Sequence, residues 1–315
     1  MTGAENVPTV TAVVVNWNTV ELLDWCLGSL VEQAGNAGPL QVVVVDNGSD
    51  DGSAEHVRRA WPDVELIAND DNRGYTVANN QGLALARGTY VLLLNTDAAL
   101  EPGCLDALVA RLDSDPGAGV VGPRLTYGDG RWQRWTAGRE PRLPAVAAYH
   151  LLVDRTPWGA RRGLYLGADV TEAFCPDWVS SACLLVRRTV LEQLGGLDER
   201  LFCYMDDVDL GARARAAGWR VWYEPSAQAV HLMGQSTTRR TGRSSPAALR
   251  SFHRYYARTH GRSSRAALRA VEATGFGLRA AAYAGAGAVR RDPSAWAASR
   301  GHWQNLSLSL ERVRD

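Results

Sequence analysis

The sequence predicts an α/β fold, a mainly parallel β-sheet flanked by helices, followed by a C-terminal helical appendage. Three observations carry this expectation. In the first half, short and almost wholly apolar runs alternate with stretches of helical period, the signature of strands buried on both faces by the helices between them. The connections between these runs are rich in Asp, Asn, Gly and Ser, which favour turns. Beyond residue 245 the pattern becomes helical and strongly basic.

Residues 10–15 read as a buried strand, and residues 20–33 as a helix with Leu22, Leu23, Cys26, Leu27 and Leu30 on one face. A strand over 40–45, a loop of Asp, Gly and Ser, and a helix near 54–60 follow. Residues 64–68 form the third strand and 76–86 the next helix, with Gly88 expected at its C-terminal cap. Residues 90–94 are the fourth strand, and 102–112 a helix with Pro102 in its first turn. Regularity weakens after Pro123, and 127–168, with scattered Gly and Trp, reads as loops over a sheet edge where an acceptor could be gripped. One strand is expected over 178–186, a short helix near 189–194 closed by Gly195 and Gly196, a helix over 207–217 capped at Gly218, and a strand over 219–223. Two helices, 246–259 and 264–291, each with a preceding serine as N-cap, complete the chain, and Asp292-Pro293 ends the second.

The chain has 315 residues, 46% of them hydrophobic, enough for a large core. Its formal charge is zero but unevenly spread: residues 234–315 hold 15 Arg and four acids, and the rest 19 Arg and 30 acids. The front is therefore acidic and the tail basic. Every Lys/Arg position is Arg, which excludes Schiff-base lysine chemistry and the usual P-loop. Five scattered cysteines without a CxxC pair argue against a disulfide framework or a zinc site. Residues 1–8 lack the apolar stretch of a signal peptide, and no apolar run approaches the ~18–20 residues that span a bilayer. A cytoplasmic protein is expected, free or peripheral at the inner face of the plasma membrane.

The residues that suggest chemistry stand where strands end, the place where open α/β sheets bind ligands. Asp46 follows an apolar run, Asn95-Thr96-Asp97 another, and Asp206-Asp207-Val208-Asp209 opens a helix, with His231 further on. A crevice lined by carboxylates suits a divalent cation and the phosphates it neutralises. Each element also has a plainer reading. The Asp46–Gly52 segment can be a solvated turn. Arg73, ahead of a helix with Gly74, can contact phosphate or simply face water. Asp97 can hold Mg²⁺ or Mn²⁺, or cap a helix. The helix dipole favours acids at 206–209, yet three within four residues repel and point to a further purpose, such as a general base. His231 alone is an ordinary core histidine; as a metal ligand it must lie beside Asp97.

Taken together, these segments resemble family 2 glycosyltransferases, GT-A fold enzymes that use nucleotide sugars, and within them the rhamnosyltransferase-like branch. The resemblance rests on Val14-Val15-Asn16-Trp17-Asn18, Val45-Asp46-Asn47-Gly48-Ser49, Asn72-Arg73-Gly74-Tyr75, Leu94-Asn95-Thr96-Asp97, Asp177-Trp178-Val179-Ser180-Ser181-Ala182, Gly196-Leu197-Asp198-Glu199 and Asp206-Asp207-Val208-Asp209 with Gly218-Trp219 and His231. It spans roughly residues 10–240. It implies a catalytic nucleotide-sugar-binding domain over 1–235 and a basic helical region over 236–315. It further implies that Asn16, Asp46, Arg73, Asn95 and Asp97 bind the donor, Asp46 at the nucleobase and Arg73 at the diphosphate. Asp97, last residue of a DxD-like motif, and His231 would hold Mg²⁺ or Mn²⁺. Asp207 would be the base, with Trp178 and Asp206 at the acceptor. Three positions depart from the family: Asn95 replaces the first acid of DxD, Asp206 stands where Glu is usual, and Ser181 where Gly is frequent. The implied reaction is an inverting direct displacement, with deoxythymidine-diphosphate rhamnose the leading donor and a carbohydrate, lipid-linked or small-molecule acceptor, in polysaccharide, cell-envelope or natural-product glycosylation.

Rival readings are a non-catalytic nucleotide-sugar-binding protein and a sugar nucleotidyltransferase. The second needs a glycine-rich phosphate loop with a basic grip, where this chain has Val13-Val14-Val15-Asn16-Trp17-Asn18. Residues 225–271 contain no acid, and nine arginines lie between Arg239 and Arg269. A helical wheel puts Arg265, Arg269, Glu272, Arg279 and Arg290 on one face, with Leu268, Val271, Leu278, Ala282 and Gly285 outside it. That helix either lies on anionic lipid or, the favoured reading, packs on the catalytic domain or a second copy with its arginines in solvent. No helix-turn-helix, zinc or stacking pattern accompanies the charge, so no nucleic-acid partner is expected.

Overall fold

The ends of the apolar runs are brought into register by four adjacent parallel strands. In the computed structural model, which describes residues 9–33, 38–151, 156, 163–233 and 246–310, these are β1 (Val10–Asn16), β2 (Leu40–Asp46), β3 (Glu65–Ala68) and β4 (Tyr90–Asn95). Asn16 lies opposite Asp46, and Val15 opposite Asn95. Helices α1 (Val20–Gln33), α2 (Ser53–Ala60) and α3 (Tyr75–Leu83) make the crossovers. The chain continues through β5 (Ala98–Leu100), α4 (Cys104–Ser114), β6 (Ala118–Thr126), β7 (Ala137–Gly138), α5 (Leu143–His150), β8 (Trp178–Val179), β9 (Cys183–Arg187), α6 (Arg188–Leu194), α7 (Asp206–Ala216) and β10 (Arg220–His231). Helices α8 (Pro246–Thr259), α9 (Arg262–Arg290) and α10 (Pro293–Leu310) follow.

The main sheet has the order β3-β2-β1-β4-β9-β6-β10-β5. Its β3, β2, β1 and β4 run parallel, as do β6 and β10, while β9 is antiparallel to both neighbours and β5 to β10. The expected α/β architecture is thus present as a mixed, mostly parallel sheet. Its central strands are buried on both faces: Val13, Val14, Val43, Val44, Leu92 and Leu93 are all fully enclosed. Leu23, Leu27 and Leu30 of α1 pack in the same cluster as Val14, Val44 and Leu92. Each such side chain contributes about 1.5–3 kcal/mol by leaving water.

Several elements differ from the sequence expectation, each for a local reason. Gly88 does not cap α3, which ends at Leu83. A Cβ at Gly88 would lie 2.6 Å from Thr11 N, and its amide donates to Thr11 Oγ1 at 2.9 Å, so glycine serves a close chain crossing. Pro102 precedes α4, because Gly103 takes the left-handed conformation (φ 77°) as its N-cap. The single strand expected over 178–186 is two strands, β8 paired with β7 and β9 in the main sheet, separated by a turn in which Cys183 N donates to Ser180 O. Strand β10 runs on to His231 because a register shift between Glu224 and Gln228 accommodates Pro225, which has no amide hydrogen to offer a ladder.

The chain divides into two compact units, residues 1–138 with 169–244, and 139–168 with 245–315. The segment read as irregular loops therefore contains α5, which packs with α9 in the second unit. A third C-terminal helix also appears. Asp292 Oδ1 accepts from Ser294 N at 2.8 Å, so Asp292-Pro293 starts α10 as well as ending α9. The residue capping α9 is Gly261, not a serine; Ser245, expected to cap α8, lies outside the described residues. The polar face of α9 is partly turned inward. Glu272 is buried and bonded to His253 Nε2 at 2.7 Å, and Arg279 donates to Tyr149 O and His150 Nδ1.

Candidate active site

Two side chains at the carboxyl ends of β1 and β2 make the first half of the site. Asn16 Nδ2 donates to Asp46 Oδ1 at 2.8 Å and to Ser49 Oγ at 3.2 Å, and its Oδ1 accepts from Thr19 Oγ1. Ser49 N donates to Asp46 Oδ2 at 3.1 Å. Both oxygens of the buried Asp46 carboxylate are thus engaged, and its orientation is fixed. The loop ahead of α3 is drawn to the same edge by Asn47, whose Oδ1 accepts from Arg73 N and whose Nδ2 donates to Asn72 Oδ1 and Gly74 O. Gly74 adopts φ 92°, and a Cβ there would lie 2.8 Å from Phe202 O. Arg73 extends from this loop half-exposed, with Nε 3.3 Å from Asp71 Oδ1.

The second half is a pair that the sequence separates by more than a hundred residues. His231 Nε2 lies 3.3 Å from Asp97 Oδ1. Antiparallel pairing of β10 with β5 sets this contact, with His231 opposite Ala98 and Leu232 N donating to Asp97 O at 2.8 Å. The other ring nitrogen, Nδ1, faces Gln133 Oε1 at 3.1 Å. The direction of that bond follows from the amide's remaining contacts. Gln133 Nε2 donates to Thr126 O and His231 O, so the oxygen must face the ring and Nδ1 must carry the proton. In the neutral ring, the Nε2 lone pair then points at a carboxylate oxygen.

The third cluster stands at the start of α7. Tyr204 and Met205 both adopt left-handed backbone (φ 67° and 66°), an uncommon conformation for such residues and one that recurs at functional sites. It delivers Asp206 and Asp207 to the turn between β8 and β9. There Ser181 grips both acids, its hydroxyl bonding Asp206 and its amide Asp207. Burial raises the Asp207 carboxyl to about 8, with the nearby Asp206 charge adding to the rise. Burial also raises Asp206, whose Oδ2 is enclosed without a hydrogen-bond partner. Tyr75 donates its hydroxyl to Ser181 O at 2.9 Å, and Asn95 N donates to Ala182 O at 2.9 Å. The Asp207 cluster is thereby joined, through one backbone link, to the end of β4, two residues before Asp97.

The structure therefore brings Asn16 to Asp46, Asp97 to His231, and Asp206 with Asp207 to Ser181. Trp178 lies buried beneath α7, where Gly211 allows the helix backbone to approach it. Sequence reasoning missed Gln133, in a stretch read as loops, and met Ser181 only as a departure from a pattern.

The donor set fits a hard divalent cation. Among the described residues no group of three or more His, Cys, Asp or Glu side chains could hold a metal. A carboxylate facing an imidazole lone pair is instead the partial set expected where phosphate oxygens complete the shell. Asn95 Oδ1, buried and without a partner, supplies a further acceptor two residues from Asp97.

The sequence model of Glycosyl transferase family 2 matches residues 11–194. The N-acetylglucosaminyl-diphospho-decaprenol L-rhamnosyltransferase of Mycobacterium tuberculosis is 33% identical over 246 residues, 73% of this chain and 79% of that protein. A pre-mycofactocin glycosyltransferase of the same organism is 30% identical over 198 residues, 61% of this chain and 37% of its own. Among solved structures, the mannosyltransferase PcManGT from Pyrobaculum calidifontis in complex with GDP-Man and Mn²⁺ superposes with a TM-score of 0.58 at 20% identity, covering 96% of this chain and 86% of that one. S. aureus TarS in complex with UDP-GlcNAc gives 0.51 at 16% identity, over 85% and 66% of the two chains. The fold is that of these transferases, and the chain belongs to glycosyl transferase family 2.

Proposed function

We propose that this glycosyltransferase inverts the anomeric centre of a nucleoside-diphosphate sugar, with L-rhamnose the leading candidate, in transferring it to an acceptor hydroxyl. The observation that carries the reading is the Asp97–His231 pair, ordered by Gln133 and linked through Asn95 to the Asp207 cluster. Asp207 takes the hydroxyl proton as the acceptor oxygen bonds to the anomeric carbon, and the bond to the donor phosphate breaks with its electron pair leaving on the nucleoside diphosphate. A carboxyl raised to about 8 is basic enough for that step near neutral pH. Asp46 and Asn16 orient the nucleobase end, Asn95 Oδ1 accepts from a ribose hydroxyl, and Arg73 reaches the diphosphate. Asp97 and His231 would hold Mg²⁺ or Mn²⁺ together with phosphate oxygens of the donor, and the ion would supply charge neutralisation at the leaving group. Asp206 and the buried Trp178 shape the acceptor side.

All these residues lie within 1–235, the span we assign to the catalytic domain, leaving 236–315 as a basic helical region. Similarity to an enzyme named for a diphospho-decaprenol acceptor favours a lipid-linked acceptor, met at the inner face of the plasma membrane. No described helix is long and apolar enough to cross a membrane, so contact would be peripheral.

Nucleoside diphosphate release would be followed with dTDP-rhamnose, UDP-GlcNAc and GDP-mannose, each with Mn²⁺, Mg²⁺ or EDTA, and product configuration read by NMR. Metal-dependent release from one donor with an inverted product is expected. Metal-independent turnover, or retention of configuration, overturns the reading.

A further inference from the structure

One face of α10 carries Trp296, Arg300, Trp303, Ser307 and Leu310, which an α-helix places within an arc of about 80°. All five are exposed, whereas Ala295, Ser299 and Ser309, to one side of that arc, are buried. Half or more of the Trp303 and Leu310 surface is open to solvent (52% and 58%), and Val289, at the end of α9, is 85% exposed. Large apolar side chains so open, aligned and interspersed with arginine call for a partner that is both apolar and anionic. A cavity of about 460 Å³ at the α9–α10 turn sharpens this: Arg291, Arg300 and Trp296 line it together with Gly287. Two guanidinium groups around a space of that size suit a phosphate-bearing headgroup.

The charge balance points the same way. Residues 262–310 hold seven arginines and two acids, Glu272 and Asp292. Glu272 is buried against His253, and Asp292 accepts from Ser294 N at the start of α10. We propose that the exposed face of α10 and the cavity at the α9–α10 turn form a docking surface for an anionic lipid membrane. Trp303 and Leu310 enter the interface, and Arg291 and Arg300 hold lipid phosphates at its rim. The helix lies on the membrane, because its apolar face is only a stripe. This surface is not the arginine face of α9 singled out in the sequence. The arginines that matter here flank the turn, while Arg279 faces inward.

The proposal deepens the reading of a lipid-linked acceptor. Its test contains neither donor nor acceptor, so the two fail separately. Flotation of the full chain would be measured with phosphatidylcholine vesicles and with vesicles holding one third phosphatidylglycerol. Binding to the second and little to the first is expected. Each arginine near an anionic surface is worth about fivefold in partitioning, so R291Q/R300Q should lower it roughly 25-fold. W303S/L310S should also release the protein, and both variants should keep wild-type circular dichroism. Failure to float with either vesicle, or flotation unchanged in both variants, overturns the proposal. So does a dimer in light scattering that the same substitutions dissociate, which would assign this face to a second copy of the chain.

Discussion

His231 is held from both sides: Nδ1 faces Gln133 Oε1 at 3.1 Å, while Nε2 faces Asp97 Oδ1 at 3.3 Å. Gln133 also donates to the carbonyls of Thr126 and His231, so the same amide ties the ends of β6 and β10 together. The consequence for Q133L is loss of the tautomer-fixing contact without loss of either proposed metal ligand. Mn²⁺ affinity, read by electron paramagnetic resonance titration, should fall about 10–100-fold, the usual effect of removing such an outer contact. Q133E keeps an acceptor for Nδ1–H and should recover part of it. Nitrogen-15 NMR of the histidine rings should show the Nδ1–H tautomer in the wild type and its loss in Q133L. An unchanged tautomer with unchanged affinity would show that Gln133 only braces the strands.

Asp207 gives a prediction in pH. Its carboxyl is raised to about 8 by burial and by Asp206, so the proposed base is increasingly protonated below that pH. With one essential base, kcat/KM should fall about tenfold per unit on the acid side of the profile, and D207N should lower turnover about 10²–10⁴-fold at pH 8 and above, with the difference narrowing on the acid side. The stability effect has the opposite direction. A carboxyl with a raised folded pKa binds more protons in the native than in the unfolded state between about pH 4 and 8, so stability falls as pH rises through that window. D207N cannot ionise and should melt higher than the wild type at pH 8, with the difference shrinking toward pH 4. A variant inactive and also less stable at pH 8 would locate the defect in the fold.

Ser181 and Asp206 depart from the resembled family together, and the structure places them in contact: the hydroxyl that glycine would lack bonds the carboxylate that is one methylene shorter than glutamate. The two departures are expected to compensate each other. S181G should leave the buried Asp206 short of a donor, costing about 1–3 kcal/mol, and D206E should crowd the hydroxyl. The double variant should be less damaging than the sum of the singles, with a coupling of about 0.5–3 kcal/mol in a thermal or urea double-mutant cycle. Additivity would mean that the contact carries no energy.

The alternating apolar runs were legible because a strand covered on both faces needs no polar residue, and their carboxyl ends located Asp46 and Asp97 directly. Less legible were features set by pairing between distant segments. His231 gains meaning only from β10 extending beyond Pro225 to meet β5, and the register shift that permits this has no local signature. Gln133 was unreadable for the same reason, since its side-chain partners, Thr126 and His231, lie on β6 and β10. In the tail, the wheel sets the α9 arginines along one face, but which part of it turns inward depends on α5 and α8, whose contacts are not encoded in the period of one helix.

Gly74 tests how tightly the donor loop is fitted. Its φ of 92° is costly for an L side chain, and a Cβ would lie 2.7 Å from Phe202 Cδ2 and 2.8 Å from Phe202 O. Phe202 O also accepts from Tyr75 N, so that carbonyl cannot move away without breaking the start of α3. Gly52 has a similar φ of 87° with nothing within 4 Å of its Cβ position, and G52A therefore measures the conformational cost alone, about 1 kcal/mol. G74A carries a larger backbone strain, because its ψ of 162° lies in a region essentially confined to glycine while that of Gly52 is 7°, and the collision adds to it. It should be destabilised about 1–3 kcal/mol further and should raise the donor KM, because the displaced backbone carries Arg73. Equal melting temperatures for the two variants would show that the loop yields, and that the approach of Gly74 to Phe202 does not set the position of Arg73.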